Sequence, residues 1–170
     1  MYIDDCQHSF EHLVTHVLPG HMERLNHALQ SPWPASTFAK PRIGPKALAT
    51  TLGLVGDFSG CYVVLDSVRP IYVGISRKVV SRLRQHMFGR THFDASLAYR
   101  MAQRHLPTKG QRTANMEKPE FRVAFADAQK QLRSYHVAAV PIDNSLELHV
   151  FEPYAAMTLK TSDWNTFRTH

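Results

Sequence analysis

The spacing of apolar positions along this chain predicts alternating helical and extended stretches. Between residues 4 and 30, Phe10, Leu13, Val14, Val17 and Leu18 fall on one helical stripe, and Met22, Leu25 and Leu29 on a second. Pro19-Gly20 separates them and reads as a break between two helices. Residues 31–47 carry four prolines and no period, which predicts a loop or linker with Trp33 anchoring it to the body. Then the period shortens. Cys61–Leu65 and Ile71–Ile75 are short β-branched and apolar runs, and the Asp66-Ser67-Val68-Arg69-Pro70 segment between them favours a turn, so a β-hairpin is expected. Pro70 suits an edge strand and not a central one. Ser76 is placed to cap a helix, Val79, Val80, Leu83 and Met87 form its apolar face, and Gly89 ends it. Arg82 and His86, four apart, share another face of that helix.

Further on, Phe93–Leu106 predicts a second helix with Leu97, Ala98 and Met101 inward, and residues 107–120 an exposed loop rich in Lys and Arg. Phe121, Val123 and Phe125 alternate, which predicts a strand over Phe121–Ala126, followed by a short polar helix over 127–134. Tyr135–Ile142 reads as a buried strand. The last element spans Ser145–Lys160, where Leu148, Ala155 and Leu159 lie near Glu152 on a helical wheel. Pro153 leaves two versions open. Glu152 sits inside a kinked helix, or it caps a helix that starts at Pro153 after a strand over Leu146–Phe151. Glu147, three after Asn144, fits a capping box.

Composition narrows the partners. Twenty Lys and Arg against 14 Asp and Glu leave a net charge of +6 in 170 residues, a surplus that suits a polyanion. Cys6 and Cys61 form no CxxC, so neither a disulfide framework nor a zinc knuckle is expected, and a reducing cytoplasm suits them. No apolar run approaches a membrane span, and no signal peptide is visible, so the expected chain is soluble and cytoplasmic with no membrane partner. His8-Ser9-Phe10-Glu11-His12 matches an H-x-x-E-H zinc spacing, but these residues lie away from the apolar stripe, as a solvated face does. Lys40, Arg42 and Lys46 in the proline-rich stretch can touch a phosphate backbone as well as solvent.

Several residues fall into one pattern. Gly60-Cys61-Tyr62 and Tyr72-Val73-Gly74 form two triplets, Arg82 lies eight residues past the second glycine, His86 follows one turn later, and Glu152 and Asn165 come near the end. In these residues the chain resembles the GIY-YIG nuclease family. The resemblance implies an α/β fold with a small central, mostly antiparallel sheet flanked by helices. Residues 58–170 would form the nuclease-like domain with an inserted segment around 90–120, preceded by a helical N-terminal extension and linker over 1–57. It implies an endonuclease that hydrolyses DNA phosphodiester bonds with Mg²⁺ or Mn²⁺. Glu152 would hold the metal, Arg82 would steady the scissile phosphate, Tyr62, Tyr72 and His86 would handle water and protons, and Gly74 and Asn165 would position the substrate. Arg84, Lys109, Arg112 and Lys118 are expected to contact DNA. With no second DNA-binding signature in the sequence, specificity is left to the N-terminal third, the insert, a homo-oligomer or a partner. The alternative is a nucleic-acid-binding module on the same fold with little or no cleavage.

Overall fold

In the computed structural model the described residues are 3–167. A 3₁₀ turn at Ile3–Asp5 precedes α1 (Phe10–His12), whose first turn is closed by Ser9 accepting the His12 N–H at 3.2 Å. The chain then makes a π-helical turn over Leu13–Val17 and runs directly into α2 (Leu18–Leu29). The break expected at Pro19-Gly20 is absent. The Leu18 N–H reaches back to the Leu13 carbonyl, and this wider turn lets Pro19, which has no N–H to give, enter the first turn of α2. Strand β1 is only Trp33–Pro34, and Ala35–Ala39 is a 3₁₀ turn before α3 (Pro45–Thr51).

The hairpin forms as its pattern demands. Strands β2 (Gly60–Asp66) and β3 (Arg69–Ser76) pair antiparallel, with Tyr62 opposite Gly74 and Val63 opposite Val73. The register shifts between Val64 and Leu65, so that Leu65 faces Pro70, and Ser67 turns at φ 56°. Helix α4 (Val79–Phe88) follows, its first N–H bonded to the Phe58 carbonyl. Next come α5 (Ser96–His105), α6 (Arg112–Glu117), α7 (Pro119–Arg133), β4 (His136–Pro141) and α8 (Ser145–Thr158). The sheet order is β1-β4-β2-β3, with β2 antiparallel to both β3 and β4. Pro70 therefore lies on an edge strand, beside the register shift at Leu65. The expected α/β architecture with a small, mostly antiparallel sheet is the one observed.

Two expectations inside the insert are corrected. Phe121–Ala126 is not a strand but the first half of α7, and α6 interrupts the expected loop with Asn115 fully buried. Positions 121 and 125 share a face in a strand and in a helix alike, so the two phenylalanines cannot decide between them. Val123 does decide. It is 62% exposed, whereas Ala128 and Leu132 continue the buried stripe at helical spacing. For the last element, the helix with Pro153 inside it is the observed version. Asn144 caps it by accepting the Glu147 N–H at 3.0 Å.

The described residues form two compact units. One takes the chain up to Trp33, Asp57–Val79 and everything from His136 on; the other takes Pro34–Gly56 and Val80–Tyr135. One division falls between Gly56 and Asp57, beside the boundary expected after residue 57, while the residues up to Trp33 group with the sheet. In the first unit a single core joins Leu18, Met22 and Leu25 of α2 to Cys61, Val63, Leu65 and Val73 of the hairpin and to Leu148, Phe151 and Ala155 of α8. The N-terminal helix thus covers the sheet and is not an appendage. In the second unit α5 packs along α7, with Tyr99 against Phe121 at 5.1 Å between ring centres. Among the described residues no helix is long and apolar enough to cross a membrane.

Leu25 is fully buried in that shared core. Leu25→Ala should lower unfolding stability by about 2–5 kcal/mol in a urea titration, the range for a leucine cavity. A loss below about 1 kcal/mol is what a loosely appended helix would give.

Candidate functional site

The sheet sorts the candidate residues by parity. Successive side chains on a strand point to opposite faces, so Cys61, Val63 and Leu65 face the core beneath α2 and α8, while Tyr62 and Val64 face the other way. On β3 the same rule puts Val73 in the core and Tyr72 and Gly74 beside Tyr62. The ring of Tyr62 lies over Gly74, and a Cβ added to Gly74 would stand 2.5 Å from both Cζ and the hydroxyl oxygen of Tyr62. Only glycine fits under that ring. Tyr72 lies diagonally across the hairpin, 6.2 Å from Tyr62 between ring centres. Tyr62 is 1% exposed, whereas Tyr72 is half-buried and lies on the outer strand. Of the two tyrosines, the one on the edge strand is the less buried.

Glu152 sits on α8, which packs on the Cys61 face of the sheet. Leu148, Phe151, Ala155 and Ala156, one turn away on either side or adjacent, are all buried. A carboxylate therefore interrupts the apolar stripe of α8, itself half-buried. Its field is felt in the sheet: burial first, and the Glu152 charge second, push the Cys61 thiol far above its ordinary range. The tyrosines and Glu152 belong to opposite faces of the sheet.

The route by which the C-terminus returns to the sheet is explicit. Helix α8 ends with Lys160 at φ 56°, the Thr161 N–H bonded to the Ala156 carbonyl and the Lys160 N–H to the Met157 carbonyl. This is a Schellman end with lysine in the place glycine usually takes. The reversal delivers Asn165 to the outer edge of β3, where its amide donates to the Val73 carbonyl at 2.8 Å and accepts the Val73 N–H at 2.9 Å. Asn165 thus occupies the open edge of the sheet as another strand would, and the substrate-positioning role expected of it is joined by a structural one.

In the helical unit, Arg82 is tied down. Its Nη1 donates to the Asp94 and Phe93 carbonyls at 2.9 and 3.3 Å and to Gln85 Oε1 at 3.2 Å, and its Nη2 donates to Ser96 Oγ at 3.1 Å. These bonds hold the segment that leads into α5. His86, expected to handle water and protons, is buried, 1% exposed. Gln129 of α7 donates to the His86 and Gly89 carbonyls, covering the side of α4 that the sequence left polar. Burial, then the charges of Arg82 and Arg100, lower the His86 pKa to about 3. The ring is neutral at pH 7. Arg84 donates to the Phe38 and Lys40 carbonyls and lies over Phe88, Arg112 lies over Tyr99, Lys118 donates to Asn115, and Lys109 is exposed.

Sequence reasoning missed the use of Glu147. Beyond its place at the α8 cap, its carboxylate accepts from His21 Nε2 at 3.0 Å and lies 3.8 Å from His8 Nε2. Arg24 donates to the other nitrogen of His21 at 2.6 Å, which places the imidazole proton on Nε2. Desolvation outweighs the carboxylate, and the His21 pKa is lowered. Glu147 is thus occupied in pinning α2 to α8. His8, His12 and His16 stack as a ladder, at 4.8 Å between neighbouring rings, on the exposed face foreseen for them. Among the described residues no three metal-ligating side chains converge. Glu152 alone fits only a hard cation such as Mg²⁺ that takes most of its ligands from water and from a substrate's phosphate oxygens, and not a resident zinc.

His86 sets a pH dependence. Its native pKa lies below the unfolded value near 6.5, so its contribution to stability is full above pH 6.5 and is lost as pH falls towards 3. The unfolding free energy from urea titrations should drop between pH 6.5 and 4.5 at up to ~1.4 kcal/mol per pH unit from this residue. His86→Gln should flatten that slope, and an unchanged slope would show that His86 is not the group responsible.

No known family model matches this chain, and no curated protein or solved structure is significantly similar to it.

Proposed function

We propose that this protein is a divalent-metal-dependent endonuclease that hydrolyses DNA phosphodiester bonds. The observation that carries the reading is Glu152, a half-buried carboxylate set among Leu148, Phe151, Ala155 and Ala156 where folding alone is better served by an apolar side chain. Support also comes from the order of the elements and from Gly74, held to glycine by the ring of Tyr62. A bound Mg²⁺ would supply charge stabilisation for the phosphoryl oxygens. Glu152 would hold it, and Tyr72, on the outer strand but on the other face of the sheet, is the tyrosine open to a substrate lying along that edge. Tyr62 sets the hairpin that carries Tyr72. Arg82 offers the charged, planar fork that suits a phosphate. Asn165 keeps Val73, the neighbour of Tyr72, fixed at the sheet edge.

A second reading, a nucleic-acid-binding module without cleavage, is favoured by one observation. The Nη1 of Arg82 is spent on carbonyls, as in an arginine whose work is to hold the chain together. The two readings part on one experiment. Purified protein is incubated with supercoiled plasmid in Mg²⁺ or Mn²⁺, beside a chelator control. Glu152→Gln should lower nicking by at least ~100-fold, the scale of losing a main electrostatic contact to a transition state, and leave DNA binding intact. Arg82→Ala should weaken binding, slow cleavage and lower stability by ~1–3 kcal/mol as the carbonyls lose their donor. Nicking by folded Glu152→Gln at the wild-type rate removes Glu152 from the reaction, and no metal-dependent nicking by the wild type favours the binding module.

A further inference from the structure

The charge of this chain is divided between its two units. The helical unit, Pro34–Gly56 with Val80–Tyr135, holds 14 Lys and Arg against 4 Asp and Glu, a surplus of ten. The sheet unit holds the remaining 6 Lys and Arg against 10 Asp and Glu, a deficit of four. The net +6 of the whole chain conceals an acidic unit that carries Glu152 and a strongly basic one. Within the basic unit, Lys40, Arg42, Lys46, Arg90, Arg122 and Lys130 are all exposed. No ion pair among the described residues joins any of these six to a carboxylate. A solvated basic surface used only for solubility is normally interspersed with acids. This one is not.

One segment of it is also held in shape. The stretch Lys40–Lys46 lies between the 3₁₀ turn at Ala35–Ala39 and α3, with Pro41 and Pro45 limiting its backbone. Arg84 of α4 donates to the Phe38 carbonyl at 3.4 Å and to the Lys40 carbonyl at 3.1 Å, and Phe38 beneath it is fully buried. Arg42 sits at φ 61°, a left-handed conformation in which glycine or asparagine is the usual occupant. The chain keeps arginine there at the expense of backbone comfort. Three cations are thus presented within seven residues on a segment pinned from below. A pinned segment loses little conformational freedom when its side chains meet a ligand.

We infer that the helical unit is the nucleic-acid-docking part of the protein, with the Lys40–Lys46 strap gripping the phosphodiester backbone. The inference rests on the nucleic-acid half of the function proposed above and is independent of cleavage. Phosphodiester is favoured over an anionic bilayer because nine of the 14 cations are arginines, whose planar fork matches a phosphate.

The test is fluorescence anisotropy of a labelled 20-base-pair duplex, in chelator, with the protein titrated at several salt concentrations. Each backbone phosphate neutralised contributes about 0.9 to the slope of log affinity against log salt. The triple variant Lys40→Ala/Arg42→Ala/Lys46→Ala should lower that slope by about 2–3. A matched triple in the sheet unit, Arg77→Ala/Lys78→Ala/Lys160→Ala, removes the same net charge and should leave the slope within about 0.5 of wild type, below a single contact. Arg42→Gly relieves the left-handed strain and so keeps the fold, and should lower the slope by about 0.9. Equal losses from both triples, or an unchanged slope in the strap triple and in Arg42→Gly, overturn the inference. Strap-dependent binding to phosphatidylserine–phosphatidylcholine vesicles without binding to the duplex also overturns it, in favour of a membrane surface. Strap-dependent duplex binding without plasmid nicking upholds the strap and removes the endonuclease; nicking with strap-independent binding does the reverse.

Discussion

The close contact between the Tyr62 ring and Gly74 fixes the hairpin on which the sheet unit depends. Strand register is unforgiving, since a slip of one residue moves every side chain to the opposite face. Here the ring can lie down only where the facing residue lacks a Cβ, and only one alignment of the two strands provides that. Once Tyr62 is opposite Gly74, Cys61, Val63, Leu65 and Val73 must face the other way. They form the floor on which α2 and α8 close the core. The carboxylate of Glu152 is thereby brought near Cys61, and the open edge of β3 is left to be covered by Asn165.

Much of this was legible in the chain because it rests on local rules. The hairpin showed itself by two β-branched runs around a turn-forming segment, and α4 by its apolar spacing and the glycine after it. The α8 ambiguity at Pro153 was real, since both versions keep Glu152 beside leucine and alanine, and only packing on the sheet resolves it. The strand expected at Phe121–Ala126 failed for a definite reason. Phenylalanines four apart satisfy both periods, and the exposure of Val123 exists only once α5 has claimed the other side of α7. Tertiary packing, which local pattern does not contain, made that choice.

The candidate site was legible as a set of residues and not as an arrangement. Sequence grouped Arg82 and His86 on one polar helix face. The structure separates their fates, binding one to the carbonyls of Phe93 and Asp94 and sealing the other beneath Gln129. Of the residues proposed to handle protons, Tyr72 is the least buried and His86 is buried and neutral. Likewise, the capping position of Glu147 was readable, but its bond to His21 joins residues 126 apart and has no local signature. The charge division is another non-local property. A net value of +6 hides a unit that is basic by ten and one that is acidic by four, and the two emerge only when the fold says which segments belong together. The proposed docking and the proposed chemistry then fall in different units of one chain.

The claim on which the account stands is that Glu152 holds a divalent ion whose remaining ligands come from water and from nucleic-acid phosphate. Electron paramagnetic resonance of free Mn²⁺ measures this without requiring turnover. The account predicts weak Mn²⁺ uptake by the protein alone, markedly tighter uptake when a duplex with non-hydrolysable backbone linkages is present, and loss of that enhancement in Glu152→Gln. Enhancement of equal size in folded Glu152→Gln, or none in the wild type with the duplex bound, would contradict it.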